Sequence, residues 1–268
     1  MRPRDDPRDA SDGDGDDDGA RGHGRIRGRG PDPDGARAAD VIARGVRGAE
    51  PGEVPGRLCD VAVELLPVIG ASVSLRSEGM PVQLSASSPQ AAHLSQIQAT
   101  LGDGPCQSAV ADGAPVLACD LTTGRDAGRW PVFAQQATEA GVRAVYAVPL
   151  GSGAACVGTL DLYGDRPGAL TDRQLHVARI VAGVMTVALM ALPHGDEPET
   201  RDGEDDWLSG LASDHDEVYQ AVGMIMAQLG VGADDALARL RADAFARGRT
   251  ALDVARDVIA HRTRFDWS

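Results

Sequence analysis

An acidic run, PHGDEPETRDGEDD, occupies residues 193–206 and contains seven acidic residues and one Arg. Its Pro and Gly residues disfavour regular structure, and its like charges repel one another and keep the chain solvated. We therefore predict a linker over 193–206, with one folded region before it and another after it.

The first forty residues form a second charged segment. Residues 1–40 hold 11 Asp and 8 Arg among frequent Gly and Pro, with almost no large apolar side chain. Such a segment cannot bury enough apolar surface to offset the entropy lost on ordering. We predict a disordered tail over 1–40, which leaves 41–192 and 207–268 as the folded domains.

The net charge of −14 excludes a chain that coats nucleic acid without specificity, because that binding depends on cations that displace phosphate counterions. Tail and linker together contribute nine of those excess negative charges, so the folded parts are closer to neutral. Uninterrupted apolar stretches of about 18 residues are absent, and the charged start lacks the apolar core of a signal peptide. We expect a cytoplasmic protein without a membrane span.

Residues 41–192 alternate helical and strand patterns. Apolar spacing predicts helices over 54–68, 91–101, 130–140 and 171–192, the last beginning with a capping box at Thr171 and Gln174. Short, partly alternating runs predict strands over 71–76, 82–86, 115–120, 142–150 and 155–163. Because neighbouring strands are not separated by regular helices, we predict an α+β fold with an antiparallel sheet flanked by helices.

Several motifs of this region occur in the order found in one sensor family. The motifs are Leu101-Gly-Asp-Gly-Pro-Cys-Gln-Ser-Ala109, Arg129-Trp-Pro-Val-Phe133, Pro149-Leu150 and Gly158-Thr-Leu-Asp-Leu-Tyr163. The region resembles a GAF sensor domain, in particular the actinobacterial kind that accompanies RNA-binding output domains. The resemblance implies a small-molecule ligand in a pocket on one face of the sheet, but it identifies neither ligand nor cofactor.

Cys106 is the candidate sensor-pocket or redox residue. A thiol at a helix N-terminus has a lowered pKa and becomes nucleophilic, whereas a Cys within a packed turn is only structural. The other cysteines, Cys59, Cys119 and Cys156, show no CxxC spacing, so the sequence indicates no metal site.

Residues 207–268 predict a domain of three helices. The first runs from about Ser213 to Gly230, the second from Asp234 to Gly248, and the third begins at Thr250 with a capping-box spacing to Asp253. A core this small gives little stability alone, so we expect the domain to pack against the first domain or against a second copy. We also expect the chain to form a homodimer.

This domain carries the second resemblance. The runs Gln220-Ala-Val-Gly-Met-Ile-Met226, Ala236-Leu-Ala-Arg-Leu-Arg241 and Leu252-Asp-Val-Ala-Arg-Asp-Val258 resemble an ANTAR domain, the output module of transcription antitermination regulators. The family commonly has Lys where this chain has Val222, so a cationic contact at that position is not expected here.

Charge and spacing are compatible with RNA binding by this domain. Between Ala236 and Arg264 the chain has seven Arg and three Asp, and the guanidinium group suits both phosphate and base recognition. Gln220 and Gly223 are expected on the side of the first helix away from its apolar stripe, whereas Phe245 is expected in the core. The predicted RNA-binding residues are Gln220, Gly223, Arg239, Arg241, Arg247 and Arg249.

These features predict a signal-responsive regulator, not an enzyme, that binds stem-loops in nascent RNA and acts by antitermination. Two alternatives stay open. The first domain is a thiol redox enzyme that uses Cys106, or the three helices are a protein-docking or dimerisation module that does not bind RNA.

Overall fold

The computed structural model of the chain describes residues 33–77, 80–151, 156–191 and 206–266. Residues 1–32 of the predicted tail (1–40) and residues 193–205 of the predicted linker (193–206) lie outside these residues. Within them, the order of elements confirms an α+β domain followed by a helical one.

The first domain is built on one antiparallel sheet. Its strand order is β2-β1-β5-β4-β3, so the last strand in the chain lies at the centre. The strands are β1 (Gly70–Ser77), β2 (Met80–Ala86), β3 (Val116–Ala118), β4 (Ala144–Leu150) and β5 (Gly158–Gly164). The antiparallel prediction is confirmed, with strand ends shifted by up to three residues.

Helices cover both faces of the sheet. A first core contains Leu160 and Leu162 of β5 together with apolar residues of three helices, namely α1 (Pro33–Gly45), α2 (Val54–Leu65) and α7 (Asp172–Met190). A second core contains Tyr163 and apolar residues of α3 (Pro89–Leu101), α4 (Pro105–Asp112) and α6 (Pro131–Glu139). A short helix, α5 (Gly124–Arg129), precedes α6. Because side chains alternate along a strand, the odd-numbered residues of β5 face α3 and α4.

The tail prediction is wrong at its C-terminal end. Helix α1 begins at Pro33, and Ala38, Val41 and Ile42 are buried in the first core. Asp34 also pairs with Arg173 of α7. The composition of 33–40 is charged, but tertiary packing on one narrow apolar face overrides it.

The second domain consists of α8 (Asp206–Leu229), α9 (Ala233–Ala246) and α10 (Ala251–Ile259), packed around Ile225, Leu240 and Val254. Helix α8 begins at Asp206, seven residues before the predicted start at Ser213, so Ser213 is not its cap. The capping box at Thr250 and Asp253 is confirmed.

No single helix within the described residues is long and apolar enough to cross a membrane. Helices Glu217–Leu229 and Ala233–Ala246 reach the required length and composition only as a pair, which is bent by 105°.

Candidate functional site

A pocket of about 390 Å³ opens between β1, β5 and α4 on the α3 side of the sheet. Strands β1 and β5 and helix α4 contribute polar side chains to the pocket wall, and Leu75, Pro81 and Val110 contribute apolar surface. The polar lining residues are Ser74, Arg76, Cys106, Gln107, Asp112 and Thr159. Cys106 is therefore placed in a pocket wall, as the sensor-pocket hypothesis requires.

Buried polar side chains are concentrated on this face of the sheet. Ser74 of β1 is hydrogen-bonded to Ser95 of α3 at 2.9 Å, and Ser72 is bonded to the Tyr163 hydroxyl at 2.8 Å. The opposite face packs against aliphatic residues. A sheet face that retains this many polar groups is suited to a small molecule that forms hydrogen bonds.

Asp161 is the charged residue of this cluster. Its side chain is fully buried, and Oδ2 accepts a hydrogen bond from Gln98 Nε2 at 3.2 Å. Burial raises the pKa of this carboxyl to about 7, against the lowering effect of hydrogen bonding from Thr159 and Gln98. Among the described residues, Oδ1 of Asp161 and the buried Nε2 of Gln107 have no hydrogen-bond partner. Of these two atoms, the Gln107 donor belongs to a residue that lines the pocket, whereas the Asp161 acceptor lies beneath the pocket wall.

Gln98 connects the sheet to the start of α4. While its Nε2 donates to Asp161, its Oε1 accepts from the backbone N–H of Cys106 at 2.9 Å. Gly104 has φ +139°, and a Cβ there would lie 2.7 Å from Gln98 Oε1, so a side chain at 104 would displace this amide. The position of Gln98 therefore depends on both β5 and the turn before α4.

Of the two alternatives for Cys106, its surroundings favour the structural thiol over the nucleophilic one. Cys106 is 2% exposed, and burial raises its pKa well above the usual value, with the Asp161 carboxylate acting in the same sense. Because desolvation outweighs the favourable backbone N–H groups at the start of α4, the thiolate is disfavoured. Burial also raises the pKa of Cys59 to about 12. Within the described ranges, no cluster of three or more His, Cys, Asp or Glu side chains is arranged to hold a metal ion.

On the helical domain, Gln220 and Gly223 are both exposed on α8, as predicted, and Ala227 is exposed on the same side. Val222 is 5% exposed and belongs to the three-helix core. The apolar residue at position 222 therefore preserves the packing of α8, but it provides no cationic side chain for a contact with RNA.

The predicted RNA-binding arginines differ in their surroundings. Arg247 pairs with Asp243 at 2.9 Å, and Arg249 pairs with Asp257, which also pairs with Arg262. These bonds lower the pKa of Asp257. Arg239 and Arg241 are half-buried on α9. The cationic surface is thus interleaved with the domain's own carboxylates, which would have to share these arginines with RNA phosphates.

Phe245 is 49% exposed, so the prediction that it belongs to the core is wrong. It lines a cleft of about 710 Å³ between α9 and α10 on one side and α3 and α6 on the other. Its helical position follows Arg241 by one turn, and that side of α9 faces the first domain instead of the three-helix core.

Asp161, Gln98 and Gln107 were not predicted as site residues. Asp161 lies in the run Gly158-Thr-Leu-Asp-Leu-Tyr163, where an alternating polar residue indicates a solvent-facing position. The resemblance implied helices on one face of the sheet and a pocket on the other, so it gave no signal that helices α3 and α4 bury this position.

Two family models match the chain in succession. The model of the GAF domain matches residues 49–190, and the model of the ANTAR domain matches residues 209–259. No curated protein matches significantly.

Solved structures resemble the first domain at low identity. The GAF domain of an Acinetobacter phosphoenolpyruvate-protein phosphotransferase is 11% identical with a TM-score of 0.47, and covers 60% of this chain and 96% of its own. The corresponding domain from Coxiella burnetii is 13% identical with a TM-score of 0.46, covering 59% and 93%. A free methionine-R-sulfoxide reductase from Neisseria meningitidis, solved with its substrate, is 17% identical with a TM-score of 0.42, covering 58% and 89%.

Proposed function

Because the chain belongs to the GAF domain family and carries an ANTAR domain after it, we propose that it is a signal-responsive regulator that binds RNA stem-loops and acts by transcription antitermination. The GAF domain receives the signal in the pocket beside Asp161. The ANTAR domain binds one of two competing RNA structures and favours the antiterminator over the terminator. Nascent RNA as a target places the protein in the cytoplasm.

The observation that carries this proposal is the ANTAR match over 209–259 on a folded three-helix domain. Gln220 and Gly223 offer a small, uncharged, exposed face on α8, and arginines flank the turn from α9 to α10. Protein side chains read RNA at unpaired loop bases and by the shape of the stem, and arginine serves both phosphate and base contacts.

The GAF pocket supports a small-molecule signal. The unpartnered Nε2 of Gln107, which lines the pocket, favours a ligand that carries a hydrogen-bond acceptor. A thiol redox role for Cys106 is disfavoured, because its burial suppresses the thiolate that such chemistry requires.

A homodimer is part of the proposal. Val187 and Met190 of α7 are 69% and 53% exposed, and the partly buried Ile180 and Val184 continue the same side of the helix. A second copy that packed on this strip would remove apolar surface from water.

A gel-shift titration tests RNA binding directly. The probe is a pair of hairpins transcribed from the operon that encodes the chain, with a scrambled RNA of equal length as the control. We expect tighter binding to the hairpins, and an affinity that decreases as salt increases because counterions are released from the phosphates. Equal affinity for hairpin and scrambled RNA at every salt concentration would contradict the proposal.

A further inference from the structure

The C-terminal end of α3 contacts the ANTAR domain through a buried hydrogen bond. The backbone N–H of Ala251, the first residue of α10, donates to Thr100 Oγ1 at 3.0 Å. Thr100 is 6% exposed and Ala251 is 4% exposed. A hydroxyl of one domain is therefore enclosed against a backbone donor of the other.

This bond completes the start of α10. The first N–H groups of a helix have no partner within the helix and need one from elsewhere. The capping box satisfies two of them, because the Asp253 side chain accepts from Thr250 N and the Thr250 side chain accepts from Asp253 N. The N–H of Ala251 is satisfied by the GAF domain instead. Undocking would transfer this group to water.

Two residues further along, Gly102 lies against Arg241 of α9. Gly102 ends α3 with φ +65°, and a Cβ added there would lie 2.7 Å from Arg241 Nη1. Burial lowers the pKa of the Arg241 guanidinium. The half-buried guanidinium lies against the GAF backbone, which restricts its access to an RNA phosphate. One predicted RNA-binding residue thus takes part in the interdomain contact.

The same turn of α3 is hydrogen-bonded to a residue that lines the pocket. Gln98, two residues before Thr100, bonds Asp161 of the central strand and the N–H of Cys106, and Cys106 lines the pocket. Within one turn of α3, Gln98 therefore contacts the polar cluster, whereas Thr100 and Gly102 contact the ANTAR domain. A ligand bound against Cys106 and Gln107 would lie next to the N–H that Gln98 holds.

We propose that the last turn of α3 is an autoinhibitory latch: Thr100 and Gly102 hold the ANTAR domain docked with Arg241 partly covered, and ligand binding beside Cys106, whose N–H is held by Gln98, releases it. The inference rests on the proposed RNA-binding function, because RNA binding is what the latch controls. In the docked arrangement the ANTAR domain does not bind RNA, whereas in the released arrangement it does. A ligand or a substitution shifts the equilibrium between these two states only by the difference between its interaction free energies with them.

Thr100→Val tests the latch in the full-length chain. Valine keeps the shape of threonine but leaves the Ala251 N–H buried without an acceptor, whereas the control Thr100→Ser keeps the hydroxyl. The readouts are hydrogen exchange at the Ala251 amide and affinity for the hairpin pair. In the valine variant we expect amide exchange faster by about tenfold and RNA affinity higher by about tenfold, because the docked state loses a buried bond. The serine variant is expected to match the parent chain in both.

A second variant acts on the other contact without changing the ANTAR sequence. Asn tolerates the left-handed conformation of Gly102, and its Cβ would occupy the space next to the Arg241 guanidinium. We expect Gly102→Asn to raise hairpin affinity in the same direction as Thr100→Val. Exchange at the α8 amides, which belong to the same three-helix core, shows whether either variant has unfolded the domain.

The outcomes separate the latch from the proposed function. Unchanged exchange at Ala251 in Thr100→Val, or faster exchange with unchanged hairpin affinity, overturns the latch. Faster exchange in a protein that binds no hairpin in any variant supports the docking contact and overturns the RNA-binding function. Faster exchange with tighter hairpin binding supports both.

Discussion

Replacing four arginines of the ANTAR domain with glutamine is expected to reduce affinity for the hairpin pair by about a thousandfold. The four are Arg239, Arg241, Arg247 and Arg249. Each charged hydrogen bond to RNA is worth on the order of 1 kcal/mol or more, and four lost contacts together give this factor. The loss also uncovers Asp243, which is now paired with Arg247, and leaves Asp257 paired with Arg262 alone, so both carboxylates would repel phosphate more strongly. A salt titration measures the lost phosphate contacts: the slope of log affinity against log salt should become shallower by about 3.

A matched variant controls for net charge. Four exposed arginines of the GAF domain can be replaced by glutamine to give the same total charge: Arg57, Arg125, Arg166 and Arg179. This control should bind hairpins with nearly the parent affinity and salt slope. If both variants lose affinity equally, binding depends on overall charge and the ANTAR surface is not the RNA site. If neither loses affinity, the three helices serve protein docking or dimerisation instead.

Asp161→Asn is expected to stabilise the GAF domain in a strongly pH-dependent way. Burial raises the pKa of Asp161 in the folded state from 3.8 to about 7, so the folded protein binds this proton more tightly than the unfolded chain does. The contribution of this group to stability is therefore greatest below about pH 4, falls as pH rises towards 7, and is lowest above that. Asparagine does not ionise, so the variant does not lose this stability as the pH rises. We expect the variant to be more stable than the parent by about 4 kcal/mol at pH 8 and by about 2 kcal/mol at pH 5.5.

Urea-induced unfolding at the two pH values measures both differences. Asp165→Asn removes an equal charge from the exposed turn after β5 and should change the free energy of unfolding by less than about 0.5 kcal/mol at either pH. A stabilisation by Asp161→Asn that is the same at pH 5.5 and pH 8 would show that Asp161 keeps an ordinary pKa. In that case a further interaction in the folded protein stabilises the Asp161 carboxylate.

Local patterns predicted most of the secondary structure because they depend on neighbours in sequence. Thr171 and Gln174 form the capping box that begins α7, and the apolar spacing of α8 placed Gln220 and Gly223 on its exposed side. These features follow from the periodicity of a helix and from the chemistry of its first turn. The two family resemblances then identified how the elements are arranged.

The remaining features depend on which surfaces meet in space. Phe245 was expected in a core on helical spacing alone, but it faces the cleft beside α3. Asp161 alternates with leucines as an exposed residue would, but α3 and α4 cover that face of the sheet. The raised pKa of Cys106 has the same origin, because its burial among α3, α4 and β5 outweighs the local effect of a helix N-terminus. Packing between elements distant in sequence decides all three.

The central position of β5 determines the order in which this chain can acquire its structure during synthesis. β1 pairs with β2, and β3 with β4, from segments that leave the ribosome early, but the two pairs share no strand until residues 158–164 emerge and hydrogen-bond to β1 and β4 together. Sheets that depend on such distant pairing fold slowly, because the loop entropy is lost before the contacts form. Thr159 of β5 also lines the pocket, so a nascent chain that lacks β5 has neither a complete sheet nor a complete pocket wall. The sheet of the GAF domain is therefore completed in a late step, when only α7 and the ANTAR domain are still to be translated.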